Sequence, residues 1–131
     1  VVDVEAGPAV TNYVVTGRGV LDDAPVAWLS LYPFTGRKHQ LRVHCAEGLQ
    51  TAIVGDGKYG QRTTGPDGAT RRLHLHHRKV VLPWKEPGRP ELTAVTAPVP
   101  PHLLATWRSC GWDPDQEDPA VNGHAGSPPL R

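Results

Sequence analysis

Methionine is absent from these 131 residues, phenylalanine occurs once and cysteine only twice. The missing methionine, with valine at position 1, leads us to expect that the chain is not a complete translation product. No apolar run approaches the length of a membrane-spanning helix, and no leader pattern occurs, so neither a membrane span nor secretion is indicated. Cys45 and Cys110 lie far apart with no CxxC or Cys-His ligand spacing. Free thiols in a reducing compartment are expected, with Cys45 a small buried hydrophobe. Aromatic residues make up 6% and hydrophobic residues 38% of the chain, enough for a modest core in one small domain. No segment repeats.

What is abundant is turn chemistry: fourteen prolines and fourteen glycines. Charge is also segregated. From Arg37 to Lys85 ten Lys/Arg face three acids, a net of +7, whereas the remaining residues carry four cations and ten acids, a net of −6. A basic middle between acidic ends is the footprint of a surface that meets a polyanion.

Periodicity predicts an α+β fold with a mixed, mostly antiparallel sheet, a helix in the basic segment and a C-terminal helix. Val1 to Pro8 reads as a lead-in, Val10 to Thr16 as a strand and Gly17 to Pro25 as an acidic loop. Val26 to Phe34 reads as a strand with bulk on both faces, and hence part of a well-covered sheet. Thr35 is placed as the cap of a helix from Arg37 to about Glu47, with Lys38 and Arg42 on one face and Leu41 and Cys45 on another. Gln50 to Val54 is a short strand or linker, and Gly55 to Thr70 a mobile loop. Arg72 to Leu82 reads as the clearest strand, pairing with Glu91 to Thr96 across the prolines at 83 to 90. Pro100 and Pro101 open a helix to Cys110, with Leu103, Leu104 and Trp107 on one face. Residues 1–112 are assigned to the folded portion. Residues 113–131, acidic and proline-rich, are expected to be disordered or wrapped on a partner.

Cations crowded at a helix start conflict with the helix dipole, and a phosphate would relieve that conflict. Arg37, Lys38 and His39 are therefore candidate contacts to a phosphate-bearing polyanion. Arg72, His74, His76 and Arg78 fall on one strand face with Lys79 beside them, a basic strip suited to RNA. His74 and His76 could chelate a metal together, but two imidazoles without an acid or thiol do not make a site, so no metal is expected. Trp28 and Trp107 lie on periodic apolar faces, which leaves Trp84, beside Lys85 in a loop, as the tryptophan to test for base stacking.

Three words stand in order: Thr35-Gly36-Arg37-Lys38-His39-Gln40-Leu41-Arg42-Val43-His44, then Gly55-Asp56-Gly57-Lys58-Tyr59-Gly60, then Leu73-His74-Leu75-His76 running into Val80-Val81-Leu82-Pro83. Together they resemble the RluA family of RNA pseudouridine synthases, over the later half of its catalytic domain from about Ala9 to Pro100, in an organellar-type branch. The segment Ala9-Val10-Thr11-Asn12-Tyr13 is similar to the family's strand before these words.

The resemblance implies isomerisation of uridine to pseudouridine in structured RNA such as rRNA, with no cofactor. It implies that Arg42 holds and orients a nucleophilic Asp borne on a His-Arg-Leu-Asp motif. That motif does not occur in these residues, so Arg42 is expected to be the partner of an absent Asp and the chain inactive by itself. Tyr59, Leu75 and His76 are implied to shape the pocket, Gln40 to be structural, and Asp56 to cap a turn rather than to react. The alternative is an inactive remnant acting as a structural RNA-binding subunit of a ribosomal particle. Either way RNA is the expected partner, with a second polypeptide or ribosomal proteins over the open sheet edge, and the mitochondrion is the expected location. The isolated chain is expected to be poorly soluble or molten.

Overall fold

The computed structural model describes residues 8–60 and 64–116. The elements are β1 (Thr11–Leu21), β2 (Ala24–Pro33), a short helix α1 (Gln40–Val43) that widens into a π-helical segment (His44–Gly48), β3 (Lys79–Lys85), β4 (Leu92–Thr96) and α2 (Pro101–Cys110). This is an α+β arrangement in which both ladders, β1–β2 and β3–β4, are antiparallel.

The first hairpin is longer than its sequence suggests. Gly17 to Pro25, expected as a loop, is strand except for the two-residue turn Asp22-Asp23. Both aspartates are left-handed, at φ 52° and 61°. That pairing matches the right-handed strand twist, and short Asx side chains tolerate it. The glycines that looked like loop residues have another task. A Cβ on Gly17 would lie 2.8 Å from the Trp112 ring nitrogen, and one on Gly19 would lie 2.9 Å from Cys110. Two residues apart on one face of β1, they let the end of α2 approach the strand. A bulge at Thr16 sets Gly17 opposite Trp28.

The core forms there. Trp28 stacks on Trp107 at 4.3 Å between centroids and meets Trp112 at 5.9 Å; Leu103 of α2 is also buried. Trp112 also donates its ring N–H to the Arg18 carbonyl. It reaches that position because Gly111, left-handed at φ 74°, ends α2 with Trp112 N–H bonded to the Trp107 carbonyl and its own N–H to that of Arg108, a Schellman closure. α2 itself begins with Pro101 behind Pro100, as expected.

Three further expectations are corrected. The sheet around Val26 to Phe34 is two-stranded among the described residues, with α2 packed against it. The strand expected from Arg72 starts only at Lys79, because the backbone from 72 to 78 meets other elements instead: His74 N–H bonds the Val54 carbonyl and the Leu73 carbonyl accepts from His102. The helix expected from Arg37 begins at Gln40, since His39 is left-handed at φ 54° and cannot continue a helix. The expected lead-in lies mostly, and the tail from 117 onward wholly, outside the described residues; Asp113 to Gln116 form a turn.

The β3–β4 hairpin, by contrast, is open on both faces. Val80, Val81, Leu82, Trp84, Leu92 and Val95 are exposed, Trp84 by 56%.

Candidate active-site groove

Thr35 caps no helix; it fastens one. Its hydroxyl accepts from Val10 N–H at 3.0 Å and donates to Gln40 Oε1 at 2.6 Å. The same oxygen accepts Arg37 N–H, and Gln40 Nε2 donates to the Val10 carbonyl and to Thr11 Oγ1. The Thr11 hydroxyl also hydrogen-bonds His44 Nδ1 at 2.8 Å. Thr11, Gln40 and His44 are all buried, and this network satisfies them while locking α1 to the start of β1. Gln40 is thus structural in its geometry. Burial lowers the His44 pKa and pushes the Cys45 thiol up to about 11.

From that fixed helix Arg42 reaches Asp56. Nε bonds Oδ2 at 3.0 Å and Nη2 bonds Oδ1 at 2.7 Å, a bidentate pair. Asp56 is 1% exposed, and its Oδ1 also accepts the N–H groups of Lys58 and Tyr59. The Arg42 guanidinium holds the Asp56 carboxyl down at about 2, and Asp56 in turn raises the pKa of Arg42. Asp56 caps its turn as expected, but the carboxylate that Arg42 grips lies within the chain. Arg42, expected as the partner of an Asp absent from these residues, thus also has an acid partner among them. Gly55 makes the geometry accessible: at φ 80° it lies against the Arg72 backbone, where no side chain fits.

Arg42 lies in the lining of a groove of about 300 Å³ with Pro33, Gly36, Arg37, His39 and Leu75. Against it stands Tyr59, whose ring lies 5.3 Å from the Arg42 guanidinium carbon and 5.4 Å from Lys58 Nζ. The Tyr59 hydroxyl is 3.0 Å from His39 Nδ1. Burial, then the charges of Arg42, Lys58 and Lys38, lower the His39 pKa.

The sequence-predicted residues thus divide. Arg37, His39, Arg42 and Leu75 come together at the groove, with Tyr59 adjoining and Lys38 exposed beside it. Arg72 and Lys79 are exposed elsewhere. His74 turns inward, its Nδ1–H given to the Arg72 carbonyl and its Nε2 accepting from the Thr106 hydroxyl, both at 2.7 Å. Arg78 spends its guanidinium on the carbonyls of Ala97 and Pro114, and His76 approaches Ala97 at 3.5 Å outside the groove lining. The geometry gives no support to RNA contacts through His74 and Arg78, or to His76 in the pocket. Among the described residues no three His, Cys, Asp or Glu converge as metal ligands. Sequence reasoning missed the Arg42–Asp56 pair, whose signal was a lone acid in an acid-poor stretch. It also missed Arg71, which ties the hairpin tip to the loop through Asp22 at 2.8 and 3.1 Å.

No protein-family model matches the chain. It is 58% identical over 52 residues to RNA pseudouridine synthase 4, mitochondrial, of Arabidopsis thaliana, covering 38% of this chain and 11% of that protein. To the Bos taurus pseudouridylate synthase RPUSD4, mitochondrial, it is 32% identical over 137 positions, 92% of this chain and 35% of the relative. To the human RNA pseudouridylate synthase domain-containing protein 1 it is 37% identical over 102 positions, 76% of this chain and 31% of the relative. The chain therefore spans about a third or less of the curated relatives it matches. The mitochondrial names of the plant and cattle relatives bear out the organellar reading. With three motif words in order and these identities along most of its length, the chain belongs to the RluA-type family of RNA pseudouridine synthases.

Proposed function

We propose that this chain is the later part of a mitochondrial RNA pseudouridine synthase acting on structured RNA, with rRNA the favoured substrate, and that its groove receives the flipped uridine. Residues 1–112 form the later portion of the catalytic domain. The observation that carries the reading is Arg42, bonded to buried Asp56 through Nε and Nη2 and set in the groove lining, with Nη1 making no hydrogen bond among the described residues and so available to a second carboxylate. That second carboxylate is the nucleophilic Asp of a His-Arg-Leu-Asp segment outside these residues or on another chain. The Arg42 guanidinium keeps it ionised and fixes its plane. The Asp attacks or abstracts at the sugar, the N1 glycosidic bond breaks and the base turns; C5 then bonds to the ribose as the Asp is freed, the C5 proton passes to solvent and N1 takes one up. Arg37 and Lys38 anchor backbone phosphates.

A second reading keeps the RNA surface without the reaction: a structural subunit of a ribosomal particle. The completed Arg42–Asp56 pair favours it, because that pair is stable without a nucleophile. Tritium release from RNA carrying C5-tritiated uridine separates the two. Release is expected when the Asp-bearing segment is supplied and not from the 131-residue chain alone. Release by the chain alone would refute the need for an outside nucleophile, and no release with the segment supplied would favour the structural subunit.

A further inference from the structure

Lys58 was no part of the sequence-predicted site, yet the turn capped by Asp56 brings it to the Tyr59 ring. Its ammonium and the Arg42 guanidinium share the Tyr59 ring, and the Tyr59 hydroxyl holds His39 by Nδ1 with the two rings edge to face at 5.7 Å. Lys38, next in sequence to His39, is exposed, as is Lys58. The acid nearest this group, Asp56, is committed to Arg42 and to two backbone N–H groups. The result is a concentration of positive charge around one imidazole whose Nε2 makes no hydrogen bond among the described residues. Apolar groove walls end beside it.

We infer that Lys58, His39 and Lys38 form a phosphodiester-binding site arranged on Tyr59, and that His39 takes up a proton from solvent as an RNA phosphate arrives. The inference rests on RNA as the ligand of the groove and adds a site and a proton linkage to it. Tyr59 holds the ring by Nδ1, which leaves Nε2 without a hydrogen bond among the described residues. In the free chain burial, and then the neighbouring cations Arg42, Lys58 and Lys38, oppose a charge on His39, with Asp56 favouring it. A bound phosphate reverses that balance, so Nδ1–H donates to the Tyr59 oxygen and Nε2–H to the phosphate. Binding therefore strengthens as pH falls.

The test uses the full chain and a fluorescent oligouridylate of about ten nucleotides, with affinity followed by anisotropy against salt and pH. Lys58→Ala is expected to reduce the log-log salt slope by about 0.7, the value for one contact to a single strand. It should weaken oligouridylate and oligocytidylate alike, and Lys58→Arg should restore the slope. Lowering pH from about 8 to about 6 is expected to tighten binding by up to about tenfold per unit for one coupled proton. His39→Asn, which tolerates the left-handed backbone, should bind without that dependence. An unchanged slope in Lys58→Ala, or a pH-independent wild-type affinity, would overturn the site. Neither readout requires turnover, so failure of tritium release would remove the synthase reading and leave this one standing.

Discussion

At the residue scale, the chemistry is concentrated in two polar groups that look ordinary in sequence. Gln40 satisfies donors and acceptors from Val10, Thr11, Thr35 and Arg37 at once. Gln40→Ala leaves buried partners unpaired and should lower stability by about 2 kcal/mol, read by urea denaturation. Asp56 titrates far below a free carboxylate, so its folded form favours the ionised state. The stabilisation it brings is complete above the unfolded value of 3.8 and is lost as pH falls toward about 2. Acid titration of the wild type should show that loss, and Asp56→Asn should be less stable at neutral pH with a flatter acid limb. The motif words revealed Arg42 and Gln40 because side-chain type and spacing survive in sequence. They concealed the Arg42–Asp56 partnership, since nothing in a linear chain shows that residues 14 apart meet.

At the element scale, α2 is held to the first hairpin by shape and to the segment 72–78 by histidines. Gly17→Ala puts a methyl against the Trp112 ring and should cost about 1–3 kcal/mol by overpacking. A red-shifted tryptophan emission from the loosened cluster would accompany it. His74, half-buried and accepting from Thr106, has its pKa lowered chiefly by burial. Its neutral form is the folded form, so its contribution is full above about 6.5 and fades as pH drops through its lower folded value. Hydrogen exchange of α2 amides should accelerate over that window before the rest of the molecule unfolds. α2 was legible because Pro-Pro starts it and Gly ends it. The first hairpin was not, because glycines needed for close packing are indistinguishable in sequence from glycines needed for turning. The helix start was misplaced for a related reason: His39 adopts a left-handed backbone that its side chain does not announce.

For the whole molecule, burial is uneven. The tryptophan cluster and the Gln40 network anchor one part, while the β3–β4 hairpin presents Val80, Leu82, Trp84 and Val95 to solvent. An exposed apolar surface of this kind favours self-association. Sedimentation velocity of the isolated chain should show concentration-dependent association, reduced in the double variant Leu82→Lys, Trp84→Ser. A monodisperse wild-type monomer at high concentration would contradict this. The basic middle segment was legible as a charge imbalance, but its division into groove, inward-facing and outlying residues depended on tertiary contacts.

The most direct measurement is the rate of pseudouridine formation by the protein that unites these residues with the His-Arg-Leu-Asp segment, comparing wild type with Arg42→Lys. A lysine keeps the charge but not the two-pronged grip on Asp56, nor the remaining N–H edge toward the nucleophile. kcat should fall by at least about a hundredfold with KM for RNA little changed. Wild-type kcat in Arg42→Lys would contradict the role assigned to this guanidinium.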